Sequence, residues 1–214
     1  MNIILIGSAG SGKGTQARQL VEKFDMAYFA SGDRLRQLMK KDNFLGREVA
    51  KTISGGNLVS EEIMEKILID FIAKNHNRSI IFDGFPRILS QAKILKKHLI
   101  DSGGVNLVIF LDISQKEAIK RLSSRVICRD CGAIYNKNTN PSRKPGVCDK
   151  CGGSLYQRED ETPAAIKVRL EGFYKRTKPV INFYRHQGIL KRVDAERPIK
   201  TIFAELTKII TSQQ

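Results

Sequence analysis

The stretch "NIILIGSAGSGKGTQARQL", Asn2 to Leu20, allows few folds. Its five leading residues are too short for a helix and run straight into glycines, the pattern of a strand buried on both faces of a parallel sheet. Beyond the glycines, Ala17, Leu20, Val21 and Phe24 recur at helical spacing, so a helix is expected from near Lys13. "SIIF" at Ser79 to Phe82 and "VNLVIFL" at Val105 to Leu111 read as further buried strands, and "ILKRVDA" from Ile189 as a last one. Strands alternating with helices predict an α/β fold with a mostly parallel sheet flanked by helices.

Helix signals lie between and after these runs. One helix should start at Ser60, with Glu61 and Glu62 in its first turn and Ile63, Ile67 and Phe71 on one side. Ser114 and Glu117 have the spacing of a capping box. Thr162-Pro163 reads as an N-cap and first helical residue, opening a helix with Ile166, Leu170 and Phe173 inward, which Pro179 should bend or end. Ile199 to Ile210 reads as a closing helix. Two stretches interrupt the alternation: Ala30 to Val59, helical and polar, and Ser124 to Glu161, rich in Gly, Asn, Pro, Arg and Cys. Both read as insertions, giving a core of 1–29, 60–123 and 162–214.

With 214 residues, 41% apolar, the chain can bury a real core as one unit. Met1 is followed by no basic stretch, long apolar segment or cleavage signal, so a cytosolic chain without membrane association is expected. The net charge of +15 points to an anionic partner without choosing among nucleotide, nucleic acid and phospholipid. Lys40-Lys41, Lys96-Lys97, Arg143-Lys144 and Lys191-Arg192 read as solvated faces, and His76, His98 and His186 as surface residues without ligand spacing.

"GSAGSGKGT", Gly7 to Thr15, is a variant of the G-x-x-x-x-G-K-[ST] loop: Gly7, Gly12 and Lys13 match, Gly14 takes the hydroxyl position, and Thr15 comes one later. Its physics survives, because backbone N–H groups and a helix N-terminus converge on phosphate oxygens while Lys13 reaches the outer phosphates. A nucleoside triphosphate is the expected ligand. The loop fixes the donor but not the reaction. "FDGFPR", Phe82 to Arg87, falls where a strand ends, the place for ligand contacts in open parallel sheets. There Asp83 suits Mg²⁺ or its water shell, and Arg87 a phosphate.

Taken with "SGDRLR" at Ser31 to Arg36, "NLVS" at Asn57 to Ser60, "DGFPR" followed by Gln91, and paired arginines farther on, the chain closely resembles the adenylate kinases, in the form with a long cysteine-bearing lid. The resemblance implies a core like that of the P-loop nucleotidases, with a helical monophosphate-binding insertion at 30–59 and a zinc-ribbon lid at 124–161. It implies a monomeric enzyme transferring a phosphoryl group reversibly from MgATP to AMP, giving two ADP, with no obligate nucleic acid and no membrane partner. Gly10, Ser11, Gly12, Lys13, Gly14 and Thr15 would wrap the ATP phosphates. Ser31, Arg36, Asn57, Leu58, Val59, Gly84, Phe85, Pro86, Arg87 and Gln91 would form the AMP site, with Arg36 and Arg87 on its phosphate and Gln91 reading adenine. Arg121 and Arg125 would act on ATP and the transferring group, and Arg158 and Arg169 would converge from the lid's other root. Ile134 and Tyr135 would cover adenine, which the Arg197 backbone also meets. Phosphoryl transfer needs such cations because its transition state spreads charge over oxygens and requires no general base.

Three residues depart from the family pattern: Ala9 for proline, Ser31 for threonine, and Val126 for a second arginine. The last predicts weaker lid closure or transition-state stabilisation. Cys128, Cys131, Cys148 and Cys151 form C-x₂-C-x₁₆-C-x₂-C, a zinc-ribbon spacing, with an iron–sulfur cluster or disulfides as alternatives. Four thiolates close a tetrahedron, so the zinc should be structural. The rivals in function are a nucleic-acid-binding ATPase, which the absence of Trp and 7% aromatics disfavour, and a kinase for UMP or CMP.

Overall fold

A computed structural model describes residues 1–40, 43–54, 57–158 and 161–213. Lys41 and parts of both expected insertions lie outside these described residues. A five-stranded sheet has the order β2 (Ala27–Ala30), β3 (Ile80–Asp83), β1 (Asn2–Ile6), β4 (Leu107–Asp112), β8 (Leu190–Asp194), with every pairing parallel. Strand β1 lies in the middle because it is apolar from Ile3 to Ile6 and buried along its whole length. Ile4 and Ile6 enter one buried cluster with Phe29, Leu68 and Phe82; Ile3 and Leu5 enter the opposite one with Leu20, Ile109 and Leu206. Successive strand residues point to opposite faces, so a run without polar interruptions needs helices on both.

The flanking helices are α1 (Lys13–Phe24), α2 (Ser31–Met39), α3 (Phe44–Ser54), α4 (Glu61–Lys74), α5 (Leu89–His98), α6 (Gln115–Ser123), α7 (Pro163–Gly172), α8 (Lys178–His186) and α9 (Ile199–Thr211). A separate antiparallel sheet, in the order β6 (Ile134–Asn136), β5 (Arg125–Cys128), β7 (Leu155–Tyr156), forms the cysteine-bearing insertion. It is called the lid below.

Several expectations are refined. Strand β2 was not legible, since "AYFA" is short, half alanine, and runs directly into α2. The buried stripe of α4 is Met64, Leu68, Phe71 and Ile72, with Ile63 and Ile67 on its margin. The Ser114 side chain accepts from Glu117 N at 3.3 Å, but the return arm of the capping box comes from Glu196, whose Oε1 accepts from Ser114 N at 2.9 Å. Glu117 pairs with Arg121 instead. Thr162 caps α7 as expected, its Oγ1 accepting from Ala165 N at 3.2 Å. Pro179 does not end the helical run: a π turn, Phe173–Thr177, precedes it and joins α7 to α8. Proline lacks an N–H and crowds the carbonyl four residues back, and a widened turn accommodates both. Lys96, Lys97, Arg143, Lys144, Lys191 and Arg192 are exposed, as are His76 and His186. His98 is half-buried, its Nε2 3.0 Å from Glu65 Oε1.

Candidate active site

The glycine loop crosses the C-terminal end of β1, flanked there by β3 and β4. Gly12 caps α1 at φ 85°, in the left-handed region that favours glycine, and no side chain caps the helix. Gly10, at φ 86°, passes so close to α6 that a Cβ would stand 2.7 Å from Ala118 O. The first-turn N–H groups of α1 thus face a cleft of about 1030 Å³. Gly10, Ser11, Gly12, Lys13, Gly14 and Thr15 all line it. Lys13 folds over the loop, donating to Gly7 O at 2.7 Å and Ser8 O at 2.8 Å. Burial lowers its pKa to about 8; Arg87, Arg169 and Arg125 push the same way, and Asp83 opposes them.

The opposite wall comes from β3, α2 and α5. Ser31 Oγ donates to Gly84 O at 2.8 Å and stands 3.5 Å from Arg87 Nη2. Arg87 Nε donates to Gly84 O at 2.8 Å, and Gln91 Oε1 accepts from Arg87 N at 2.8 Å. Thr177, in the π turn, donates to Arg87 O at 3.0 Å, so both backbone groups of Arg87 are fixed. Burial, then Arg169, lowers the Arg87 pKa to about 10. Asp33 pairs with both Arg36 and Arg18, the latter at 3.0 Å. Arg36, Asn57, Leu58, Val59, Gly84, Phe85, Arg87 and Gln91 line the cleft, whereas Pro86 lines a smaller cavity behind the loop. Asp83 also faces the cleft and accepts from the Tyr28 hydroxyl at 2.9 Å, which with burial raises the tyrosine pKa.

From the lid side, Arg125, Arg158 and Arg169 gather around Glu161. Its side chain is fully buried, pairing with Arg125 and lying 3.8 Å from Arg158 Nε and 4.0 Å from Arg169 Nη1. Glu161 is the main residue that sequence reasoning missed, read only as the end of the insertion. The available signal was an acidic run, "EDE", between two arginines assigned to the site. Arg121 also lines the cleft. Its Nη1 donates to Ala195 O at 2.8 Å and its Nε to Glu117 at 2.9 Å. The Arg197 side chain is held by Asp194 and Glu205, while the residue lines the cleft. Val126 packs against the lid's own small core.

The lid rests on the core. A Cβ on Gly14 would stand 3.4 Å from Ile134 Cδ1, and one on Gly132 3.4 Å from Arg18 Nη2. Ile134 therefore covers the loop, but the Tyr135 ring turns into the lid, where its hydroxyl stands 3.4 Å from Cys148 Sγ. That hydrogen bond lowers the Cys148 pKa, while the hydrogen bonds from Cys131 and Cys128 raise that of Cys151. Cys128 and Cys151 sulfurs are 3.4 Å apart, those of Cys131 and Cys148 3.6 Å, and all four lie within 4.8 Å of one another. Such gaps exceed a disulfide bond of about 2.05 Å. They approach the edge of about 3.8 Å expected for thiolates 2.3 Å from a tetrahedral zinc. The donor set fits zinc.

The family model described as Adenylate kinase matches residues 5–189. The chain belongs to the adenylate kinase family. It is 38% identical over 211 residues to an adenylate kinase of Thermococcus sibiricus, covering 98% of this chain and 94% of the relative. The adenylate kinase of Bacillus licheniformis is 38% identical over 212 residues, 98% of each chain. That of Enterococcus faecalis is 38% identical over 213 residues, 98% of this chain and 99% of its own.

Proposed function

We propose that this chain transfers the terminal phosphoryl group of MgATP to AMP, reversibly, giving two ADP. The observation that carries the reading is the convergence of Lys13, Arg87, Arg125, Arg158 and Arg169 on one cleft between the glycine loop and the Ser31–Gly84–Gln91 wall. The loop N–H groups and Lys13 hold the donor phosphates; Arg36 and Arg87 hold the acceptor phosphate, with Gln91 beside the adenine. Arg125, Arg158 and Arg169 stabilise charge on the moving group, a contribution that can reach about 10³ to 10⁵ in rate for one arginine. Arg121, tied to the carbonyl of Ala195, serves the adenine end, which Ile134 and the Arg197 backbone complete.

Mg²⁺ would come with ATP and supply charge neutralisation at its phosphates, and Asp83, which lines the cleft, would hold its water shell. The four cysteines hold a structural zinc. Segments 30–59 and 124–161 act as two closing units on the core, excluding water once both substrates are seated; adenylate kinase is a known example of such closure. Free cysteines in a zinc-compatible set fit a reducing cytosol. No helix among the described residues is long and apolar enough to cross a membrane.

The test is a coupled assay of ADP formed from ATP alone and with AMP, UMP or CMP. Turnover should require AMP and fall at least tenfold with the pyrimidine nucleotides. ATP hydrolysis without AMP that rises on adding DNA would overturn the reading in favour of a nucleic-acid-dependent ATPase.

A further inference from the structure

Three consecutive residues of β6 face three different tasks. Ile134 covers the glycine loop. Asn136 anchors the strand to the end of α6, its Nδ2 donating to Arg121 O at 3.0 Å and Ser124 Oγ at 2.9 Å. Tyr135, between them, points to the other face of the strand and is only 9% exposed.

The Tyr135 hydroxyl has two neighbours. It accepts from Asp149 N at 2.8 Å, and Cys148 Sγ stands 3.4 Å away. With its acceptor side occupied by a backbone N–H, the hydroxyl has its own proton to give, and a metal-bound thiolate is an acceptor without a proton. One phenol then holds both the ligating cysteine and the residue after it. A phenylalanine would fill the same space but leave the Asp149 N–H and the sulfur without this partner.

We propose that Tyr135 is a positioning residue for the lid metal: its hydroxyl donates to the Cys148 thiolate, aims that ligand and retains the ion. The inference rests on the zinc reading above. Groups just outside a metal's ligand shell set ligand direction, and losing one costs about 10–100-fold in affinity. The arrangement also ties the metal to the nucleotide cover, because Tyr135 and Ile134 are adjacent on one short strand. Cys128, on the neighbouring β5, belongs to the same four-sulfur set, so β5 and β6 are joined by sheet hydrogen bonds and through the metal.

The test is competition for zinc between the full chain and a chromophoric chelator, for the parent, Tyr135→Phe and Tyr156→Phe. Tyr156 is a control from the same sheet, packed under Arg129 at 4.4 Å and not among the sulfur contacts. Metal content of the parent is measured first; a parent without zinc overturns the zinc reading itself. With one zinc per parent chain, Tyr135→Phe should bind it about 10–100-fold more weakly and Tyr156→Phe within twofold of the parent. Equal retention by Tyr135→Phe, or an equal loss in both variants, overturns the inference. Should Tyr135→Phe not fold, deuterium exchange at the Asp149 amide of the parent decides. Stripping zinc should speed it, and unchanged exchange overturns the inference.

Discussion

All five residues of β1 are at most 3% exposed, whereas Cys128 and Tyr135 alone are buried among the nine strand residues of the lid sheet. The core sheet is sandwiched between helices on both faces and gains its stability from apolar burial. Among its described residues the lid has no α-helix of its own, and its apolar cluster is built around the cysteines. The difference follows from the work proposed for each. A unit that must leave and return to the core cannot depend on that interface for its fold, and a metal held by the four cysteines would make its stability internal.

Removing the metal should break the comparison most visibly. Chelation, or Cys148→Ser, removes a contribution of about 10–16 kcal/mol in small zinc domains. Hydrogen exchange should show the lid opening while the core strands stay protected; equal loss in both regions would contradict separate stabilisation. The converse experiment is Phe29→Ala. Phe29 is fully buried, with ring centroids of Phe71, Phe82 and Phe85 at 5.2, 5.7 and 5.8 Å. Urea denaturation should show a loss of about 3–5 kcal/mol, with zinc retention unchanged.

Lys13→Met sharpens the contrast within the core itself, separating residues that hold the fold from one that serves the reaction. The expected fall in kcat is about 10²–10³, as for loss of one preorganised charge donor. The unfolding midpoint should stay level or rise, because the substitution relieves a buried ammonium. The smallest effect is on pH. In the ligand-free protein the Lys13 pKa is about 8, against 10.5 ordinarily, so the folded state releases this proton first. Its penalty on folding is full below about pH 8 and fades as pH rises towards 10.5. Bound phosphates restore the charge, so ATP binding near pH 8 should take up about half a proton and little at pH 6. Calorimetry in buffers of different ionisation enthalpy measures this, and no uptake at pH 8 would remove Lys13 from the phosphate site.

How far the sequence discloses this molecule varies with the range of the interactions. Strands β1, β3, β4 and β8 and the Thr162 cap were legible because burial pattern and capping are local. Strand β2 was not, since Ala27 and Ala30 by themselves favour helix and their placement is decided by pairing with β3. The cysteine cluster was legible from spacing alone. Glu161 was not, because its partners come from β5, the lid's far root and α7, and only the folded chain brings them together. The capping box was legible in its Ser114 arm but not in its return arm, which Glu196, distant in sequence, supplies in place of Glu117. His98 was misread as surface because its partner, Glu65, lies on another helix.

The carboxylate of Glu161 has a consequence for a molecule that must wait empty between turnovers. Guanidinium groups crowded together repel one another and would otherwise swing outward to separate solvent positions. An internal counterion keeps them aimed inward before any nucleotide arrives. The freedom each surrenders, about 2 kcal/mol for so long a side chain, is then lost once, when the chain folds, and not again at every catalytic cycle.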